Sequence, residues 1–224
     1  MSRRVAILRP EPGNAATTAR VRDAGLEPLS LPLFAVRPLD WAPPGTAEFD
    51  GLLLTSANAL RQGGASLSSL RGLPVLAVGS ATADAARAAG FAVAITGSSD
   101  VADLLRDAAD FKRLLWLAGR ERTAIEHPAL AVAIPVYASD PVAWAAADSA
   151  AVAGSVALVH STRAATQLAA ELARHAISPA SVRVAAISRK AAIAAGPGWE
   201  MVAIADTPDD DALIAAARAL AIDP

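Results

Sequence analysis

The chain contains no cysteine, which rules out a disulfide framework, a thiolate metal site and a thiol nucleophile, and which agrees with a reducing, cytoplasmic setting. Aromatic residues are almost as scarce, at 4% against 54% hydrophobic overall. A core for 224 residues must therefore be built from Ala, Val, Leu and Ile, packed as helices on sheets with few large anchors. The three histidines, His127, His160 and His175, are scattered, with no two at the i, i+4 spacing that puts two imidazoles on one helix face for zinc. No metal is expected. A net charge of −2 provides no overall field to gather nucleic acid or an anionic membrane, so neither partner is expected and an anionic ligand must be met by local charge. No apolar run reaches the ~18 residues that cross a bilayer. The basic start is followed by an apolar stretch of only Val5 to Leu8, too short for a signal peptide, and reads as a first strand. No dinucleotide glycine motif, P-loop lysine or Gly-x-Ser-x-Gly elbow occurs, and PEPGN at Pro10 to Asn14 is a turn, so no cofactor is expected.

What is present is an alternation. Apolar runs of strand length stand at Val5 to Leu8, Gly51 to Leu54, Val75 to Val78, Val93 to Ile95, Leu114 to Leu117, Val132 to Val136, Val156 to Val159, Val182 to Ile187 and Met201 to Ile204. Ala-rich helical segments separate most of them, which predicts parallel sheets covered by helices on both faces. The first helix is predicted from about Ala15 to Ala24, with Asn14 as N-cap and Gly25 just past its end. The last is predicted to open on Thr207 as N-cap, with Pro208 at the first helical position and Asp209 and Asp210 in the first turn.

The pattern is also duplicated. LTSANAL (Leu54 to Leu60) is echoed by VHSTRAA (Val159 to Ala165), with Ser56 over Ser161. LAVGSATADAARAAG (Leu76 to Gly90) is echoed by VAAISRKAAIAAG (Val184 to Gly196), with Ser80 over Ser188. Two ordered matches at strand-to-helix junctions favour a repeated α/β unit. Two proline-bearing extended stretches, Leu31 to Gly45 and Ala133 to Pro141, interrupt the rhythm. Proline confines them to extended conformations and sheet edges, which suits two crossings between domains.

In such sheets ligands bind beyond the carboxyl ends of the strands, where helix N-termini offer unpaired N–H groups. The residues standing there are Arg9; Thr55, Ser56 and Asn58; Gly79, Ser80 and Thr82; Gly119, Arg120 and Arg122; Ser161, Thr162 and Arg163; and Ser188, Arg189 and Lys190. Hydroxyls, glycines and arginines are concentrated at these junctions, as anion binding requires. The hydroxyl residues are equally the preferred helix N-caps, and the arginines equally solvated surface charges. His160 beside Ser161 does not make a catalytic pair, because adjacent residues at a strand end point in different directions; it reads as a core or supporting histidine.

The ordered set VAILRPE, LPLF, LTSANA, VGSATA, LAGR, PVYAS and TPDDDALIAA resembles the uroporphyrinogen-III synthases from about Val5 to Leu220. The resemblance implies two flavodoxin-like parallel-sheet α/β domains joined by two extended crossings. The first is discontinuous, residues 1–33 with 139–224, and the second, 39–133, is inserted into it. It further implies a monomeric, cofactor-free cytoplasmic lyase that takes hydroxymethylbilane, a linear tetrapyrrole, inverts ring D and closes the macrocycle to uroporphyrinogen III with loss of water. Tyr137 matches the family's tyrosine at the second crossing, where its hydroxyl would assist departure of the substrate hydroxyl. Thr55, Ser56, Ser80, Thr82 and Ser161 match junctions where substrate carboxylates are expected, and Arg9, Asn58, Gly119, Arg120 and Ser188 complete the expected binding set. The chain departs from the family pattern at ISRKA, where a Gly-Pro-type turn is common, and at HSTRA, where a Thr-Ser or Phe-Ser start is common. Those departures leave open a synthase-like module that binds an anionic small molecule without turnover.

Overall fold

The computed structural model describes residues 2–97 and 101–222. Its strands are β1 (Val5–Ile7), β2 (Pro28–Ser30), β3 (Phe34–Pro38), β4 (Gly51–Leu54), β5 (Val75–Val78), β6 (Val93–Gly97), β7 (Leu114–Gly119), β8 (Leu130–Pro141), β9 (Val156–Val159), β10 (Arg183–Ala186) and β11 (Met201–Ile204). The α-helices are α1 (Gly13–Asp23), α2 (Asn58–Gln62), α3 (Ser80–Ala88), α4 (Val101–Asp107), α5 (Ala146–Val152), α6 (Thr162–Arg174), α7 (Arg189–Ala195) and α8 (Asp210–Ala221). The chain divides into two compact units: one runs to Ala35 and resumes at Asp140, and the other is Val36–Ser139.

The discontinuous unit holds a five-stranded sheet in the order β11-β10-β9-β1-β2, with parallel pairing throughout. Numbered by appearance within that unit, this is the 2-1-3-4-5 order of the flavodoxin-like doubly wound sheet. The inserted unit holds a sheet in the order β3-β8-β7-β4-β5-β6. Set β3 aside and the two orders coincide, with β9, β10 and β11 standing where β4, β5 and β6 stand, and β1 and β2 where β7 and β8 stand. The duplication is therefore one of topology, and the discontinuous unit begins with the counterparts of the two strands that end the inserted one.

Both sheets are apolar on both faces, as helix-covered parallel strands must be. Successive residues alternate between faces: Val5 and Ile7 join one core with Val21, Leu213 and Ala217, while Ala6 and Leu8 join the other with Leu168 and Leu172. In the inserted unit, Leu52 and Leu54 pack with Ala83 and Ala86 of α3, and Leu53 packs with Leu104 and Leu105 of α4. Each fully buried leucine contributes about 1.5–3 kcal/mol relative to exposure.

Three local expectations need correction. Asn14 is not the N-cap of the first helix; that place falls to Pro12. Asn14 is buried inside α1, and its side-chain amide donates to the carbonyls of Ile7 and Arg9, tying the helix to the exit of β1. The last helix starts later than predicted: Asp209 is its N-cap and accepts from the Ala212 N–H, while the Thr207 hydroxyl donates to Asp209. An aspartate two residues nearer the apolar face displaced the threonine, since either side chain can cap. Third, β8 is not an edge strand, because β3 lies outside it. The bonds Val142 N–H to Leu33 and Leu39 N–H to Val136 show that β3 covers only the C-terminal part of β8. Pro135, which has no N–H, falls just before the covered stretch, where the outer side of β8 is still an edge.

Candidate active site

In the inserted unit the strand order reverses between β4 and β7, so ligands are expected beyond the carboxyl ends of those two strands. A cavity of about 380 Å³ lies there, lined by Thr55 and Ser56 after β4, Gly119 and Arg122 at the end of β7, and Tyr137 from β8. That volume is at the small end for a ligand pocket.

Each lining group is held by a neighbour. The Thr55 hydroxyl accepts from Trp116 Nε1–H at 3.3 Å. Ser56 accepts from the Asn58 N–H at 3.2 Å. Arg122 donates to the Gly119 carbonyl at 3.2 Å, and its guanidinium lies 5.4 Å from the centroid of the Trp116 ring, a cation–π contact that keeps the charge over the cavity. The Arg120 N–H donates to the Tyr137 carbonyl at 2.8 Å, continuing the ladder past β7. Tyr137 is half-buried, its ring laid against the backbone of Gly119: a Cβ built on that glycine would come within 2.9 Å of Tyr137 Cζ.

Glu121 also lines the cavity and accepts from the Ser139 N–H at 3.2 Å. Partial burial alone would raise its pKa, but the hydrogen bond from Arg120 and that from the Ser139 backbone outweigh it and hold the carboxyl below its usual range. The cavity wall thus carries a fixed carboxylate at Glu121 as well as the guanidinium of Arg122.

Of the expected residues, Thr55, Ser56, Gly119 and Tyr137 come together in this cavity. Asn58, Ser80, Thr82 and Arg120 belong to the same unit without being among its lining residues. Asn58 opens α2 and accepts from Arg61; Ser80 is the exposed first residue of α3, after Gly79 at φ +80°; Thr82 is buried in that helix. Trp116 and Glu121 were missed. Trp116 sits on a strand whose every residue is buried, so nothing in the local pattern separates it from core.

The other expected residues lie in the discontinuous unit. Ser161 and Ser188 are helix N-caps, accepting from Ala164 N–H at 3.1 Å and Ala191 N–H at 3.3 Å. The capping role claims their oxygens as acceptors and leaves the O–H of each to donate. Arg9 follows β1 at that sheet's own reversal point, beside His160 at the end of β9. Its guanidinium reaches Thr17 Oγ1 and Asp210 Oδ1, each at 3.4 Å. Asp210 and Thr17 were not foreseen as part of a site.

A family model described as uroporphyrinogen-III synthase HemD matches residues 15–215. The fold is similar to a uroporphyrinogen-III synthetase from Helicobacter pylori, at 16% identity and TM-score 0.68, covering 97% of this chain and 99% of that one. It is also similar to a mutant uroporphyrinogen III synthase from the thermophilic bacterium Thermus thermophilus, at 19% identity and TM-score 0.56, covering 98% and 99%. A search of curated proteins finds no match. Among the described residues no helix is long and apolar enough to cross a membrane.

Proposed function

The chain belongs to the uroporphyrinogen-III synthase family, and on that premise we propose that it is a cyclising lyase converting hydroxymethylbilane into uroporphyrinogen III, with inversion of ring D and release of water. The observation that carries the reading to particular atoms is the seat of Tyr137: its ring lies against Gly119 in the wall of a cavity lined by hydroxyls and a guanidinium.

The reaction asks little covalent chemistry of the protein. The terminal pyrrole pushes out the hydroxyl of its own hydroxymethyl group, so the C–O bond breaks as that oxygen gains a proton and leaves as water. The cation left behind is delocalised over the pyrrole. A donor placed at the departing oxygen assists this step, and the Tyr137 O–H takes that role. The second demand is geometric: ring D must be held so that closure passes through a spiro intermediate, and the resulting proximity supplies most of the selectivity. Substrate carboxylates provide the handles. Arg122, Thr55 and Ser56 are the groups of this cavity that bind them. The cavity volume suits a single pyrrole ring with its acidic arms rather than the whole linear chain.

The test is incubation with freshly generated hydroxymethylbilane, followed by separation of the type I and type III macrocycles. Spontaneous closure yields type I, so accumulation of type III is the expected result. Type I alone, at the rate of the uncatalysed control, overturns the proposal and favours a binding module.

A further inference from the structure

The carboxylate of Asp210 is shared unequally. Oδ1 lies 2.7 Å from His160 Nε2, and Oδ2 accepts from the Thr17 hydroxyl at 2.8 Å. Both are short bonds of the charge-assisted kind. The two arginines beside it stand further off, Arg9 at 3.4 Å from Oδ1 and Arg20 at 3.6 Å from Oδ2. An ionised aspartate only accepts, so Nε2 is the nitrogen of His160 that carries the proton on this bond. His160 Nδ1 is buried with no hydrogen-bond partner among the described residues. The bond to Asp210 is therefore what orients the ring.

Arg9 is placed but not consumed. Its side chain crosses Gly13 so closely that a Cβ there would come within 2.4 Å of Nε, which restrains the guanidinium laterally. Its side chain stays 36% exposed, whereas those of His160 and Asp210 are 13% and 11% exposed. A lone aspartate beside an arginine would pair with it at close range and cancel its charge. Here each carboxylate oxygen already carries a short bond from another donor, and the guanidinium is left with long contacts at the reversal point between β1 and β9, where this fold receives ligands.

We infer that His160, acting with Thr17 through Asp210, is a positioning residue that keeps Arg9 available for a carboxylate of the bound substrate. The substrate's identity rests on the reading proposed above; the presentation of Arg9 to a carboxylate does not. Removing His160 frees Oδ1, and Arg9 then closes onto Asp210 and is withdrawn from the ligand.

The experiment compares His160→Phe, which fills the space without a donor, with His160→Gln, whose amide can still donate to Oδ1. Thr17→Val, which removes the other short bond in nearly the same volume, stands in should His160→Phe fail to fold. KM and kcat are measured with hydroxymethylbilane, and binding of uroporphyrin I, a stable polycarboxylate macrocycle, is followed by its fluorescence. Loss of one charge-assisted contact predicts that His160→Phe and Thr17→Val raise KM and the uroporphyrin Kd about 10-fold, with kcat changed less than about 2-fold. His160→Gln should stay close to the parent. Unchanged KM and Kd in both His160→Phe and Thr17→Val overturn the inference, as does a fall in kcat at constant KM. If the parent binds uroporphyrin without turning over hydroxymethylbilane, the synthase reading fails and the Kd values alone decide this one. A parent that neither turns over nor binds sinks both.

Discussion

Gly119 and Tyr137 face each other across the β7–β8 ladder so closely that a Cβ added to the glycine would lie 2.9 Å from Tyr137 Cζ and 3.0 Å from its hydroxyl oxygen. The glycine is the floor on which the tyrosine ring rests. Gly119→Ala must push the end of that ring away, a shift the half-buried side chain can make without unfolding the sheet. It should lower kcat at least as much as loss of the hydroxyl does. A Gly119→Ala protein with parental kcat would show that the position of the ring does not matter to turnover.

Tyr137→Phe tests the donor itself. The ring and its packing stay, so a loss of rate without a change in melting temperature belongs to the missing O–H. Positioned acid assistance is typically worth about 10²-fold, and pyrrole-assisted ionisation is already easy, so a fall in kcat of roughly 10-fold to 100-fold is expected. The product should remain type III, because ring folding is set by carboxylate contacts. Unchanged kcat would reduce Tyr137 to a packing residue.

Ser161 carries a structural duty that can be separated from any ligand contact. Ser161→Ala removes the cap on α6 and should cost about 1 kcal/mol, or roughly 2 to 4 °C in melting temperature for a chain of this size. Ser161→Asp keeps a capping oxygen and should hold stability while repelling an anionic substrate, so its KM should rise above that of Ser161→Ala. Equal KM values in the two variants would mean that no carboxylate approaches this turn.

Asp210 ties acid stability to the same cluster. Burial alone would raise its pKa, but hydrogen bonds from His160 and Thr17, and the charges of His160 and Arg9, hold it below its usual range. A carboxyl whose folded pKa is depressed stabilises the fold above its unfolded value, and that contribution is lost as pH falls through the folded value. The parent should therefore lose stability below about pH 4 more steeply than Asp210→Asn does. Urea midpoints measured from neutral pH downward check this; parallel curves for the two proteins would remove Asp210 from the acid response.

Much of this was legible along the chain. Strand-length apolar runs alternating with Ala-rich helices required helix-covered parallel sheets, and the structure has two of them. Ser161 and Ser188 stand at strand-to-helix junctions and cap the helices that follow, because capping depends on residues three apart and is decided locally. Asn14 misled for a related reason: a polar residue ahead of an Ala-rich segment looks like a cap, and only the fold shows the exit of β1 passing close enough for its amide to bond Ile7 and Arg9.

The cavity and the Arg9 cluster belong to the other kind of information. Thr55 meets Trp116, Gly119 meets Tyr137, and Asp210 gathers Thr17 from 193 residues before it and His160 from 50. No spacing encodes these pairs, since each depends on which strands become neighbours. The sequence by itself determined residue types and local periods, and with them the elements, several caps and the class of fold. The tertiary structure alone decided which hydroxyl, ring and charge share a site, because parallel neighbours are joined through crossovers and strand ends far apart in the chain meet only when the sheet is assembled.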